Sequence, residues 1–160
     1  MRIAAAELEA EDLVTVINSE NLSTGIGLLV IEAAVLAQKG ASVAEIKTHI
    51  EALRPNVRAC FVVDTLSYLH RGGRCSGVAA MAGGMLRLHP KIVVEHGKMD
   101  ASKKYPGKLA SVITAYAKDL EPQLLTARPE RVFNPHSGCD RAVVDQVRTY
   151  LASLGVFEEI

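Results

Sequence analysis

Two arginines set around a glycine pair are the side chains best suited to chemistry in this chain of 160 residues. In HRGGRCSG, Arg71 and Arg74 flank Gly72 and Gly73, and a guanidinium offers a planar fork of donors that matches a carboxylate or a phosphate. Both glycines permit positive φ, so the turn would present Arg74 sharply. The same residues also make an ordinary solvated turn, and both readings stay open. A second candidate lies in NSENLSTG, ahead of the apolar run GIGLLVIEAAVLA. There Ser23 and Thr24 open a helix, where hydroxyls and free N–H groups either hold an anion or, with Ser19, cap the helix. Gly25 and Gly27 have the first spacing of a dinucleotide fingerprint, but Val30 occupies the third glycine's place and no acidic residue follows on a second strand.

Other chemistries find little support. Cys75 follows Arg74, which could lower its pKa, but no base or orienting partner can be named, and a small half-buried side chain is the plainer reading. Cys60, Cys75 and Cys139 are odd in number and far apart, and the five histidines, His49, His70, His89, His96 and His136, are scattered singly. No metal-ligand spacing appears among them. Asp64 ends a predicted strand, where a functional carboxylate can sit, and it is equally placed to cap the next helix.

The 18 basic and 18 acidic side chains cancel, so charge provides no attraction to nucleic acid or an anionic membrane. Aromatic residues make up 4%, with no Trp, too few for a base-stacking platform. The longest apolar run is interrupted by Glu32 and is too short to span a bilayer, and the opening MRIAAAELEAED has no signal-peptide core. A cytoplasmic protein is expected, with a real core drawn from the 49% hydrophobic residues.

Periodicity then places the elements. A helix is predicted over Ile3 to Leu13, and LVTVIN reads as a buried strand. An apolar helix from about Gly25 to Lys39 closes at Gly40, and Ser42 with Glu45 forms a capping box for VAEIKTHIEAL, which Pro55 ends. RACFVVDT is a strand, TLSYLHRGG a short helix, and SGVAAMAGGMLRL a helix of small residues. HPKIVVEHGKMDASKKYP is a β-hairpin turning at His96-Gly97. GKLASVITAYAKDLEPQL puts Leu109, Val112, Ile113, Tyr116, Ala117 and Leu120 on one face, with Pro122 as terminator. ERVFNPHSGC reads as strand and loop. DRAVVDQVRTYLASLG is amphipathic through Val143, Val144, Val147, Tyr150, Leu151 and Leu154, and VFEEI reads as the first half of a strand without a partner.

In order, VINSENLSTGIGLLVIEAA, RACFVVDTLSYLHRGGRCSG, LRLHPKIVVEHGKM and KKYPGKL resemble consecutive landmarks of the DegV-like family of fatty-acid-binding proteins. The second landmark is the most specific, a long composite of strand, Asp-Thr-Leu, short helix, Gly-Gly-Arg and small-residue helix. The resemblance implies a two-domain α/β protein that encloses one long-chain fatty acid in an apolar tunnel and presents its carboxylate to a separate fatty-acid kinase subunit. The carrier is not itself an enzyme. Met81, Met85, Leu86, Leu88, Ile92 and Val94 supply the composition of such a tunnel. Arg74 matches the Gly-Gly-Arg position of the phosphate zone, with Arg71 beside it.

Departures from the pattern are equally specific. The Thr-Ser and Ser-Gly-Thr segments that hold the carboxylate in the family have no counterpart after Met1. Pro106 stands where the family places an arginine, and proline has neither the charge nor the N–H. The His-Thr-Gly-Pro-Gly loop would follow Ile160. These departures remove contacts on which kinase docking would depend.

The expectation is thus an α/β chain, DegV-like. Residues 1–55 are the second part of a Rossmann-like first domain, and 56–160 are most of an α+β second domain. Its function would be to bind a fatty acid as a partial version of the fold, with no cofactor and no metal. The rival is a structural module that binds no lipid and pairs as a homodimer through an open sheet edge.

Overall fold

A computed structural model describes residues 1–73 and 88–160. The predicted small-residue helix therefore lies outside the described residues except for its last residue, Leu88, which begins a strand instead, and Arg74, Cys75, Met81, Met85 and Leu86 also lie outside them. Two compact units result: Met1–Ala59 with Val94–Lys98, and Cys60–Val93 with Met99–Ile160.

In the first unit, α1 (Arg2–Glu7) stops well short of Leu13. Glu9 turns to φ +49, and Ala10 N–H then reaches back to the Ala5 carbonyl at 2.9 Å, a six-residue closure that ends the helix. LVTVIN, predicted as a strand, has no regular structure. Its β-branched residues favour extended backbone, but a strand also needs a ladder, and LVTVIN pairs with none of the described strands. Helix α2 (Ser23–Gln38) follows and ends as expected at Gly40, where φ is +84. Gly40 N–H bonds to Ala37 O at 3.0 Å and Ala41 N–H to Leu36 O at 3.1 Å, the pair of a Schellman motif.

Helix α3 (Val43–Leu53) starts in the expected capping box, with Glu45 N–H donating to Ser42 Oγ (3.3 Å) and Ser42 N–H to Glu45 Oε2 (2.8 Å). It packs on α2, where Leu29 and Ile50 are buried and His49 Nε2 meets Glu32 Oε1 at 3.0 Å. Pro55 carries its end into a 3₁₀ turn, Arg54–Asn56.

The second unit holds most of a three-stranded sheet in the order β1 (Ala59–Val62), β2 (Leu88–Glu95), β3 (Lys98–Pro106), whose hairpin tip Val94–Lys98 and first residue Ala59 are counted with the first unit, and α4 (Ser67–Arg71) follows β1. Strands β2 and β3 form the predicted hairpin. His96 (φ +51) and Gly97 (φ +76) both take the positive φ that a two-residue I′ turn requires. Ile92, fully buried on the central strand, is packed by Phe61, Leu66, Leu69, Met99 and Ala101.

A second cluster joins α5 (Leu109–Asp119), α6 (Glu121–Leu124) and α7 (Arg141–Ser153) around Ala117, Val147 and Leu151. Helix α5 ends ahead of Pro122 as expected, with Leu120 as its C-cap, and Pro122 then opens α6 in the first turn, where its missing N–H is harmless. ERVFNPHSGC contains no strand either. Val132 N–H donates to Glu159 O (2.9 Å) and Glu158 N–H to Pro129 O (2.8 Å), so VFEEI does have a partner, through two bonds rather than a ladder. Val132 and Ile160 then pack on the helical cluster, which is what fixes both segments.

Three carboxylates are held below their usual range: Glu45 by the Ser42 hydroxyl and N–H, Asp119 by Lys103 and Tyr105, and Glu130 by Arg128. A lowered folded-state pKa means the stabilisation is complete above the ordinary carboxylate value of about 4 and is lost as pH falls through the lowered values. Urea midpoints followed from pH 6 into strong acid should drop in the wild type and drop less in Glu45→Gln/Asp119→Asn/Glu130→Gln. Parallel profiles would contradict these assignments.

Candidate functional site

In the first unit the polar turn before α2 is tightly built. Asn18 Oδ1 accepts Glu20 N–H (3.2 Å), Ser19 Oγ accepts Asn21 N–H (3.2 Å), and Asn21 Oδ1 accepts Leu22 N–H (3.1 Å). Glu20 and Ser23 both sit at positive φ, +50 and +47, which costs energy for residues with a Cβ and persists only where the surroundings enforce it. Arg54, at the end of α3, supplies part of that enforcement. Its Nη1 donates to Asn18 O (3.0 Å) and its Nη2 lies 3.4 Å from Glu20 Oε1.

This arrangement corrects the expected caps. The N-cap of α2 is Leu22, with no side-chain capping bond, because Ser23 is already the first helical residue and Ser19 is engaged in its own turn. Thr24 follows within the helix. A Cβ on Gly25 would stand 1.9 Å from Asn21 Oδ1, so the Asn21 carboxamide would have to move aside.

In the second unit, β1 runs out into Asp64 and the short helix α4. Thr65, rather than Asp64, shapes the entry to α4. Its Oγ1 accepts Ser67 N–H (3.2 Å) and pairs with Ser67 Oγ (2.9 Å). Asp64 instead lies 3.5 Å from Nδ1 of His89, a buried histidine on β2 whose Nε2 is 3.1 Å from Gly107 O. Arg71 ends α4 on the surface, and Gly73 follows at φ +66. Leu88 is half-buried at the start of β2, whereas Ile92 and Val94 are buried along it.

Beside the sheet, Tyr116 OH donates to Cys60 O at 2.8 Å and lies 3.1 Å from Cys60 Sγ. Tyr105 packs edge-on against Tyr116, with ring centroids 6.4 Å apart, and donates to Asp119 at 2.8 Å. Lys103 pairs with Asp119 and lies over the Tyr105 ring, while Lys91 lies 5.9 Å from the Tyr116 centroid. Burial, foremost, raises both phenols well above the ordinary tyrosine value, with Asp119 adding to the shift at Tyr105 and Cys60 at Tyr116. Neutral, hydrogen-bonded phenols of this kind hold structure and are not poised for proton transfer. Among the described residues no three metal-ligating side chains converge.

The sequence had marked Asp64 and Arg71 but not His89, Gly107 or Arg54. The position of Gly107 directly after Pro106 was a usable signal for a turn, whereas nothing in the spacing of His89 distinguishes it from the other four histidines.

Together these elements, helices plus a small sheet built on an antiparallel hairpin, define an α/β protein. No described helix is long and apolar enough to cross a membrane. The family model described as "Uncharacterised protein, DegV family" matches residues 1–158, and the chain belongs to that family. It is 36% identical over 109 residues to a DegV domain-containing protein of Deinococcus radiodurans, covering 66% of this chain and 39% of that one. A DegV domain-containing protein of Clostridium acetobutylicum is 37% identical over 119 residues, covering 73% and 42%.

Among solved structures, a fatty-acid-binding DegV family protein from Thermus thermophilus superposes with a TM-score of 0.78 at 29% identity, covering 98% of this chain and 57% of the other. A Ruminococcus gnavus DegV family protein, refined with vaccenic acid, reaches a TM-score of 0.81 at 19% identity, covering 98% and 55%, and shows the shared fold. The chain thus spans less than half the length of these curated relatives.

Gly25→Ala should lower the unfolding free energy by about 1–3 kcal/mol, because the new methyl displaces the Asn21 carboxamide from Leu22 N–H. Urea unfolding of the variant beside wild type measures it, and an unchanged midpoint would mean that the Asn21 turn does not constrain α2.

Proposed function

We propose that this chain binds a long-chain fatty acid non-covalently, as a carrier and not a catalyst. The observation that carries the proposal is the match of 98% of the chain, at 29% identity, to a Thermus thermophilus protein described as fatty-acid-binding. In this reading Met81, Met85, Leu86, Leu88, Ile92 and Val94 line the apolar path. Arg71 and Arg74 form an anion zone at the carboxylate end, and Ser23 and Thr24 offer hydroxyls at the start of α2. Residues 1–55 belong to a first α/β domain and 56–160 to a second. Burial of the acyl chain contributes about 0.8 kcal/mol per CH₂, so a long chain can be retained without many polar contacts. No cofactor is invoked, and the compartment is the cytoplasm, in keeping with the free thiols of Cys60 and Cys139. A fatty-acid kinase subunit is the partner the family suggests; Pro106 weakens that docking by removing a cation from the KKYPGK run.

A second reading, a self-associating module, is favoured by one observation. In the first unit Ile3, Leu8, Leu13, Val30 and Val43 are all more than half exposed, while Ala5, Leu29, Ile50 and Val94 are its buried hydrophobics. Apolar surface left in that proportion suits a homodimer.

Native mass spectrometry of freshly purified protein separates the two. The carrier reading predicts a monomer with a mass increment matching a fatty acid, recovered on solvent extraction and reloaded on adding oleate. A lipid-free dimer that takes up no oleate would overturn it in favour of self-association.

A further inference from the structure

Neither the fold nor the proposed ligand accounts for the surroundings of His89. It is the one buried polar residue among the described residues, 6% exposed, and its two ring nitrogens are in unlike situations. Nε2 lies 3.1 Å from the Gly107 carbonyl oxygen. A carbonyl oxygen can only accept, so Nε2 must carry a hydrogen. The neutral ring then has its lone pair on Nδ1, and Nδ1 is buried with no hydrogen-bond partner among the described residues. Its neighbour is Asp64 Oδ1 at 3.5 Å, within ion-pair reach but not aligned as a hydrogen bond.

With a neutral ring, two acceptors face each other across that gap with no hydrogen between them. Adding one proton to Nδ1 changes the sign of the contact, because an imidazolium N–H then points at a carboxylate that needs only a small rotation to accept it. Asp64 can make that rotation, its side chain being 71% exposed while that of His89 is 7% exposed.

We propose that His89 is a proton-operated latch: on protonation its ring bridges the Asp64 carboxylate and the Gly107 carbonyl, fastening the turn that leaves β1 to the turn that enters α5. Both turns belong to the second unit, and Gly107 holds φ at +116, a backbone conformation that sets the direction of its carbonyl and that other residues rarely adopt.

The remaining charged groups on the flanking elements are committed elsewhere or face solvent. On β2, Lys91 lies over the Tyr116 ring and Glu95 is exposed. On β3, Lys103 and Tyr105 are bonded to Asp119, and Lys98, Asp100 and Lys104 are exposed. At the start of α5, Lys108 is exposed. Asp64 is therefore the carboxylate within reach of Nδ1 among the described residues.

The test is ¹⁵N NMR of the imidazole rings in the full chain, wild type and Asp64→Asn, from pH 8.5 to 5. Asp64 is on the surface, so the amide variant should fold. Asp64→Ala serves as a second variant that cannot accept a hydrogen bond. At pH 8.5 His89 should show the Nε2–H tautomer. On acidification the wild type should gain a slowly exchanging Nδ1–H. In both variants the proton affinity of His89 should fall at least threefold and that Nδ1–H should exchange at least tenfold faster, with His96 and His136 unchanged. An Nδ1–H tautomer at pH 8.5, a ring that stays neutral to pH 5, or titration curves identical in the three proteins would each overturn the latch.

Discussion

The register of the β2–β3 hairpin is the constraint on which the second unit depends. Side chains alternate along a strand, so a slip of one residue would exchange every inward position for an outward one. Two features fix the register here. The His96-Gly97 turn admits a single tight geometry, with both residues at positive φ, and Ile92 is completely buried among Phe61, Leu66, Leu69, Met99 and Ala101. Once Ile92 is inward, Pro90 and Val94 share its face of β2, and His89 and Lys91 fall on the other. His89 beside Gly107 and Lys91 over Tyr116 are consequences of that one choice.

Magnitudes separate the interactions that matter from those that merely occur. Arg141–Asp145 and Arg128–Glu130 are exposed ion pairs, and such pairs contribute about 0–1 kcal/mol. The half-buried bond from Tyr116 to Cys60 O belongs to a stronger class, because breaking it would leave a largely buried polar group short of a partner, at a cost of about 1–3 kcal/mol. Apolar packing dominates both clusters of the second unit. The first unit is held differently, by α2 against α3 and by well-made helix ends, with several large apolar side chains left on its surface.

What could be read in the sequence follows from the range of the forces involved. The Ser42–Glu45 box, the stop at Gly40, the His96-Gly97 turn and the inward face of α7 are decided within a few residues of themselves, and each was legible. LVTVIN and ERVFNPHSGC were misread because β-branched composition reports a preference for extended backbone and says nothing about whether a neighbouring strand is present. Ser23 looked like a cap because the residue type is right, but the helix begins one position earlier and Leu22 occupies the cap. Arg54 and His89 act over separations of 36 and 18 residues, to Asn18 and to Gly107, and no local pattern announces a contact of that kind. The family resemblance was legible because its landmarks are long composites, whereas the side chains at the polar junctions had to wait for the fold.

Equilibrium urea unfolding of Ile92→Ala, read with hydrogen exchange across β1, β2 and β3, tests whether Ile92 sets the hairpin register for the whole sheet. The expected result is a loss of about 2–5 kcal/mol and a common loss of protection in all three strands, since a cavity would open at the point where they meet. A loss below about 1 kcal/mol, or protection that falls in β2 alone, would contradict it.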